Sequence, residues 1–185
     1  MGSIPWGVLI GRAVHGVDVR RFGSGNIGAT NVLRVLGPVP AACVLVLDVL
    51  KGAGAAYLGA RTVGAWGGAV AGLFSVVGHS FSVWLKFGGG KSVACGAGAL
   101  FVLAPRVGLI GLALMALTVA LTRYVSLGSI VAASVTPFVM LGLGESVPNI
   151  VFGAAAGGLI VLRHSSNIRR LLAGKEHRLG EKVSR

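Results

Sequence analysis

Long apolar stretches without a charged residue constrain this chain more than any other feature. Val107 to Thr122 and Leu127 to Gly144 contain no Asp, Glu, Lys or Arg. Of the 185 residues, 54% are hydrophobic and only 12% are charged, whereas soluble domains average about 45–50% apolar and 25% charged residues. Too few polar residues remain to cover a soluble core of this size. The sequence therefore predicts an all-α integral membrane protein.

Charged residues and turn residues divide the chain into seven apolar segments, which we interpret as about seven transmembrane helices. A crossing needs about 20 apolar residues, with a range of roughly 17–25. The first and fourth segments are shorter, and we expect the first to be a truncated helix because it starts directly after Met1. The seven segments are Gly2 to Val14, Pro38 to Ala60, Val63 to Leu85, Ser92 to Ala104, Val107 to Tyr124, Gly128 to Leu143 and Val147 to Leu162.

The positive charges predict an orientation. If the seven segments cross in turn, one side receives 14 of the 17 Lys and Arg residues and the other receives Arg61 and Arg106, which leaves Lys51 inside the second segment. Cytoplasmic loops carry the excess of Lys and Arg in membrane proteins. We therefore expect a multi-pass protein of the cytoplasmic (inner) membrane, with the N-terminus outside, the C-terminus in the cytoplasm and the polar loops on the cytoplasmic face.

The net charge of +12 is then a signal of topology. We expect the short basic tail, residues 165–185, to bind anionic lipid headgroups, and we predict no nucleic-acid partner. Cys43 and Cys95 lie in apolar segments, and two cysteines form neither a disulfide framework nor a cluster of metal ligands. We predict no metal and no cofactor.

The first predicted cytoplasmic loop has the composition of an anion-binding site. Its glycines Gly23, Gly25 and Gly28 allow successive backbone N–H groups to point into one concavity. The same glycines match the dinucleotide fingerprint G-x-G-x-x-G, but that motif needs a strand before it and a βαβ unit around it. Further donors for phosphate are the side chains of Ser24, Asn26, Thr30, Asn31 and Arg34.

The second loop runs from Gly78 to Ser92 and leads into the fourth segment. Glycines at a helix N-terminus leave its first N–H groups free, and Lys91 adds a full charge, so Gly89, Gly90 and Lys91 are candidate phosphate ligands. A P-loop is excluded because Leu85 stands where that motif requires glycine.

Two further polar segments lie on the same predicted side, Thr122 to Ser129 and Arg163 to Arg170. Within the second apolar segment, Asp48 and Lys51 are three residues apart, a spacing that favours a structural ion pair. None of the four histidines is followed five positions later by Asp, as coenzyme-A-dependent glycerolipid acyltransferases of the H-x-x-x-x-D type require. Any acyl transfer would need an activated donor.

Taken in order, these motifs resemble the bacterial PlsY family over essentially the whole chain. The resemblance implies one membrane-embedded acyltransferase domain, residues 1–185, that moves an acyl group from acyl phosphate to glycerol 3-phosphate and releases lysophosphatidic acid and phosphate. The matching motifs are Gly2 to Pro5, Gly23 to Asn31, Leu47-Asp48 with Lys51-Gly52, Gly78-His79 with Leu85 to Phe87, Gly89 to Lys91, Arg123 to Leu127 with Ser129, and His164 with Asn167.

The same resemblance implies roles for six residues. Ser24, Arg34 and Lys91 would bind phosphate groups, and Ser129, His164 and Asn167 would surround the reacting atoms. Whether His164 is a base or a hydrogen-bond donor stays open, as do the oligomeric state and the acyl-chain preference. The chain departs from the family pattern at Gly88 and Ser92, where the family has Lys and Gly, and at Ser82, where it has Pro.

Two alternatives follow from these features. The departures from the pattern are consistent with an inactive paralogue or one with an altered substrate. A membrane carrier for phosphorylated solutes is the alternative from another class. Carriers place polar groups near the middle of the membrane on broken helices, often in repeated halves, whereas these motifs gather at one face and show no internal repeat.

Overall fold

The computed structural model describes residues 1–181, and every regular element in that range is helical. This confirms the predicted all-α fold. Two short 3₁₀ turns lie at Val19–Arg21 and Val83–Leu85. Lys182 and Arg185, which we assigned to the basic tail, lie outside the described residues. The α-helices are α1 (Trp6–His15), α2 (Ala29–Leu36), α3 (Pro38–Ser80), α4 (Val93–Leu103), α5 (Pro105–Thr122), α6 (Val125–Gly142), α7 (Val147–Arg163) and α8 (Ser165–Leu172).

Helix α3 is a hairpin that unites the second and third predicted segments. At Gly64 the backbone takes φ 77° and ψ −160°, a conformation essentially restricted to glycine, and the chain reverses direction there. Gly59 and Gly67 then bring the two halves together backbone to backbone. The halves, residues 38–63 and 65–80, correspond to the two separate helices expected from the sequence.

Three helices among the described residues are long and apolar enough to cross a membrane: Pro38–Leu85 with its hairpin, Pro105–Thr122 and Val125–Gly142. Helices α7 and α8, bent by 56° at their junction, qualify as a fourth only if they are taken together. Helix α4 is short, as its segment predicts. The expected number of about seven crossings therefore stays a prediction.

Small residues let the helices of the bundle approach closely, as membrane helices commonly do. A side chain at Gly52 would strike the backbone of Cys95, and one at Gly98 would strike the backbone of Val49, so α3 and α4 meet almost without side chains between them. Large apolar residues such as Phe74 and Phe138 are exposed on the outside of the bundle, where lipid would cover them. This close packing brings the polar loops together at one end of the bundle.

Candidate active site

A cavity of about 420 Å³ opens at that end of the bundle. Nine of the eleven candidate site residues line it, although they come from four separate parts of the chain. Gly89 and Gly90 are the two that do not. The nine are Ser24, Asn26, Thr30, Asn31, Arg34, Lys91, Ser129, His164 and Asn167.

Asn31 organises the first loop. Its Oδ1 accepts a hydrogen bond from the N–H of Ser24 at 2.9 Å, and its Nδ2 lies 3.0, 3.2 and 2.8 Å from the carbonyl oxygens of Val19, Phe22 and Asn26. These partners leave no free N–H on the Asn31 amide for a phosphate, contrary to our expectation that this side chain would supply a donor. Asn31 instead fixes the loop that presents its neighbours.

The remaining polar groups of this loop face the cavity. Asn26 Oδ1 accepts a hydrogen bond from the N–H of Gly28 at 2.8 Å and so shapes the turn before α2. Ser24, Thr30 and Arg34 are half-buried at the cavity wall. Burial lowers the pKa of the Arg34 guanidinium, but an arginine stays charged at physiological pH. The loop thus offers one cation and several uncharged donors.

Gly89 and Gly90 pack against the end of α3 behind the cavity wall. The Gly90 N–H donates to the carbonyl of His79 at 3.0 Å, and a side chain at Gly90 would overlap the His79 ring. From outside, Arg163 donates to the carbonyls of Gly90 at 3.2 Å and Gly89 at 3.3 Å. Because the Gly90 N–H is already bonded and neither glycine lines the cavity, we interpret the two glycines as positions that let the chain pass close to α3.

Ser92 replaces a family glycine without leaving a polar group unsatisfied. Its φ of 60° is in the left-handed region. Its hydroxyl donates to the carbonyl of Val76 at 2.7 Å and accepts from the hydroxyl of Ser80 at 2.7 Å. Ser82, the residue in place of a family proline, donates to the carbonyl of Ser3 at 2.5 Å. Both serines tie this loop to the rest of the fold.

Lys91 is the cation at the start of α4. Burial, opposed by the negative charge of Glu176 and aided by the positive charges of Arg170, Arg34 and Arg163, lowers the pKa of its ammonium group to about 8. Lys91 and Arg34 therefore line the cavity together with one carboxylate, and Arg163 and Arg170 add positive charge near Lys91. Such a surplus of buried positive charge favours an anionic ligand.

His164 and Asn167 lie at the bend between α7 and α8, and both are buried. His164 Nδ1 lies 2.7 Å from the carbonyl of Ile160, which can only accept, so Nδ1 carries a proton and Nε2 is left for a substrate. Asn167 Nδ2 donates to Glu176 at 2.7 Å, and its Oδ1 has no partner within the described residues. Ser129 Oγ donates to the carbonyl of Val125 at 2.9 Å and also faces the cavity.

Glu176 lies in the cavity wall near basic residues and was not among the residues predicted from the sequence. Its carboxylate accepts hydrogen bonds from Ser126 at 3.0 Å, Asn167 at 2.7 Å and Arg170 at 2.7 Å. Although burial alone would raise the pKa of Glu176, these hydrogen bonds hold it below its usual value. The presence of an acid in a tail rich in Lys and Arg, which holds only Glu176 and Glu181, is the signal that could have identified this residue.

The buried charges of α3 form a network beside the cavity. Lys51 Nζ lies 2.6 Å from Asp48 Oδ1, which confirms the ion pair expected from their spacing. Lys51 also contacts His79 Nδ1 at 2.6 Å and donates to the carbonyl of Ile4 at 3.0 Å. A lysine ammonium only donates, so His79 Nδ1 accepts and its proton is on Nε2, next to Gly90. No separate role for His79 was predicted from the sequence.

An apolar groove continues from the polar cavity between α4, α5, α6 and α7. It encloses about 100 Å³ and is lined by apolar and small side chains, with Ser129 at the end nearest the polar cavity. The two cavities share six residues: Val93, Ala97, Phe101, Leu112, Met115 and Ser129. An elongated ligand with an anionic head and an apolar tail would fit this combination.

Comparison with known proteins gives one consistent result. Residues 1–174 match the sequence model of the glycerol-3-phosphate acyltransferase family. The chain is 47% identical over 194 residues to the glycerol-3-phosphate acyltransferase of Synechococcus elongatus, covering 100% of this chain and 92% of the relative. It is 46% identical over 183 residues to that of Symbiobacterium thermophilum, covering 99% and 92%.

Two solved structures of PlsY, an integral membrane glycerol 3-phosphate acyltransferase, have the same fold. The glycerol 3-phosphate form superimposes with a TM-score of 0.93 and the lysophosphatidic acid form with 0.90. Both are 40% identical to this chain and cover 97% of it and 90% of the PlsY chain. The predicted resemblance is confirmed: the chain is a multi-pass integral membrane protein of the PlsY family of glycerol-3-phosphate acyltransferases.

Proposed function

We propose that this chain transfers a fatty acyl group from acyl phosphate to glycerol 3-phosphate and produces lysophosphatidic acid and inorganic phosphate. The observation that carries the proposal is the junction of a cation-rich polar cavity with an apolar groove at Ser129. A donor with a phosphate head and a fatty tail matches that junction. The names of the relatives support glycerol 3-phosphate as the acceptor.

Phosphate binding is assigned to Ser24, Arg34 and Lys91, with Asn26 and Thr30 beside them. The two cations offset the repulsion between the phosphates of donor and acceptor, and charge-assisted hydrogen bonds hold them in place. The N–H groups at the start of α4 and the positive end of its helix dipole also favour a phosphate there. Asn31, Gly89 and Gly90 support these groups as parts of the framework.

His164, Asn167 and Ser129 are assigned to the reacting atoms. The glycerol hydroxyl oxygen attacks the acyl carbonyl carbon, the bond from that carbon to the phosphate oxygen breaks, and the hydroxyl proton passes to the departing phosphate. Positioning of the two substrates supplies much of the rate in such a reaction. His164 Nε2 and Asn167 Oδ1 have no hydrogen-bond partner within the described residues, and because both atoms are acceptors they can orient the attacking hydroxyl by accepting its hydrogen bond.

The alternatives are less well supported. A carrier needs polar groups free in the middle of the bundle, but Asp48, Lys51 and His79 are bonded to one another. An inactive paralogue is disfavoured because Ser92 preserves the loop through two hydrogen bonds. The missing cation at Gly88 lies next to glycines that do not line the cavity.

The proposal includes a place in the cell. The chain would act as a single domain in the cytoplasmic membrane, with the cavity open to the cytoplasm, where glycerol 3-phosphate is soluble. The tail contributes Glu176 to the site, and Leu179 exchanges hydrogen bonds with Arg123 at 2.7 and 3.0 Å. The remaining basic residues of the tail would contact anionic lipid.

The decisive experiment supplies the purified protein in lipid vesicles with glycerol 3-phosphate and either acyl phosphate or acyl-coenzyme A. We expect lysophosphatidic acid and one equivalent of inorganic phosphate with acyl phosphate only. Lys91→Ala and Arg34→Ala are the matched inactive controls. Product formation from acyl-coenzyme A at an equal rate would contradict the assignment of the donor.

A further inference from the structure

We propose that Gly111 of α5, facing Thr136 of α6, determines how long an acyl chain the enzyme accepts. This inference rests on the proposed function, because it takes the apolar groove between α4, α5, α6 and α7 as the binding site of the acyl chain. It goes further by naming the residue that leaves the far part of the groove open.

The groove has a defined depth below the site. Ser129, where the groove meets the polar cavity, and Thr136 are seven residues apart on α6, which corresponds to about 10 Å along the helix. With carbon–carbon bonds of about 1.5 Å, this depth holds on the order of eight chain carbons. Donors with longer chains must therefore pass the level of Thr136.

Gly111 lies across the groove from Thr136. A Cβ atom added at Gly111 would meet only Thr136 Oγ1, at 3.9 Å, which is an ordinary contact. The Thr136 hydroxyl already donates a hydrogen bond to the carbonyl of Ala132 at 2.8 Å, so it needs no acceptor from a ligand. A side chain at Gly111 would therefore extend into the groove and not into protein.

The other glycines of the groove differ in this respect. Added side chains would strike the Phe101 ring at Gly108, Met140 at Gly153 and the Ala133 carbonyl at Gly157, and one at Gly96 would crowd the Ile160 side chain at 3.2 Å. These glycines are explained by helix packing. Gly111 needs no such explanation, and the space beside it is the space that a chain would use.

The test measures kcat/KM for acyl phosphates of 8, 12 and 16 carbons with wild type, Gly111→Leu, Gly111→Ala and Gly158→Leu. Gly158 is the matched control because it is exposed on the outer face of α7 with nothing within 4 Å of an added Cβ. We expect Gly111→Leu to lower the ratio of 16-carbon to 8-carbon activity at least about tenfold, since one or two methylene groups in an apolar pocket discriminate by that much. Gly158→Leu should leave the ratio unchanged.

The KM for glycerol 3-phosphate should stay constant in all variants, which a general disturbance of the fold would not allow. If Gly111→Leu does not fold, Gly111→Ala decides, with a smaller shift in the same direction. An unchanged ratio in folded Gly111 variants overturns the inference while the proposed function stands. Absence of turnover by wild type with every acyl phosphate overturns both.

Discussion

At the scale of single residues, Lys91 gives the enzyme a pH dependence. Burial lowers the pKa of its ammonium group to about 8, so it loses charge above that pH in the free protein, whereas a bound phosphate favours the charged form. Binding of glycerol 3-phosphate should therefore weaken as the pH rises, with KM increasing roughly tenfold between pH 7 and 9. Lys91→Arg keeps its charge over this range and should lose that increase. A KM that does not change with pH in wild type would contradict the assignment.

The role of His164 in the reaction is also decided by a single atom. Its Nδ1 is bonded to the carbonyl of Ile160, so only Nε2 can contact a substrate. If Nε2 only orients a substrate through a hydrogen bond, the side-chain amide of Gln can partly replace the imidazole. We expect kcat of His164→Gln to fall by less than about a hundredfold, the lower end of what loss of a general acid or base costs. A loss as complete as that of Lys91→Ala, restored by added imidazole, would instead show obligatory proton transfer by the histidine.

At the scale of elements, the α3 hairpin depends on its buried charges. Removal of one partner of a buried ion pair leaves an uncompensated charge, at a cost of about 3–5 kcal/mol, whereas removal of both avoids that cost. Lys51→Met should therefore lower the thermal transition of the purified protein more than the double variant Asp48→Asn, Lys51→Met does. Additive effects in this double-mutant cycle would show that the ion pair contributes no coupling energy.

For the whole molecule, the sequence predicts the features that depend on the bilayer and on local geometry, such as the limits of the apolar segments. Segment limits follow from hydrophobicity, and the segments found as Pro38 to Ala60 and Val63 to Leu85 reappear as the two halves of α3. Contacts between distant residues leave no such pattern. Glu176 joins the site through Ser126, 50 positions away, and Asn31 turns its amide toward its own loop. The sequence therefore identified nine lining residues but not what holds them.

Orientation in the membrane is a property of the whole molecule, and two cysteine variants test it in a background of Cys43→Ala and Cys95→Ala. Arg61 lies near the hairpin turn of α3, at the end of the bundle away from the cavity, and Lys175 lies in the tail beside Glu176. The distribution of positive charge predicts that the second position lies in the cytoplasm. The reagent is a maleimide that reaches the outer face of the cytoplasmic membrane in intact cells but does not cross that membrane. It should label Arg61→Cys in intact cells and Lys175→Cys only after the cells are broken. The reverse order of labelling would place the cavity on the outer face, away from cytoplasmic glycerol 3-phosphate.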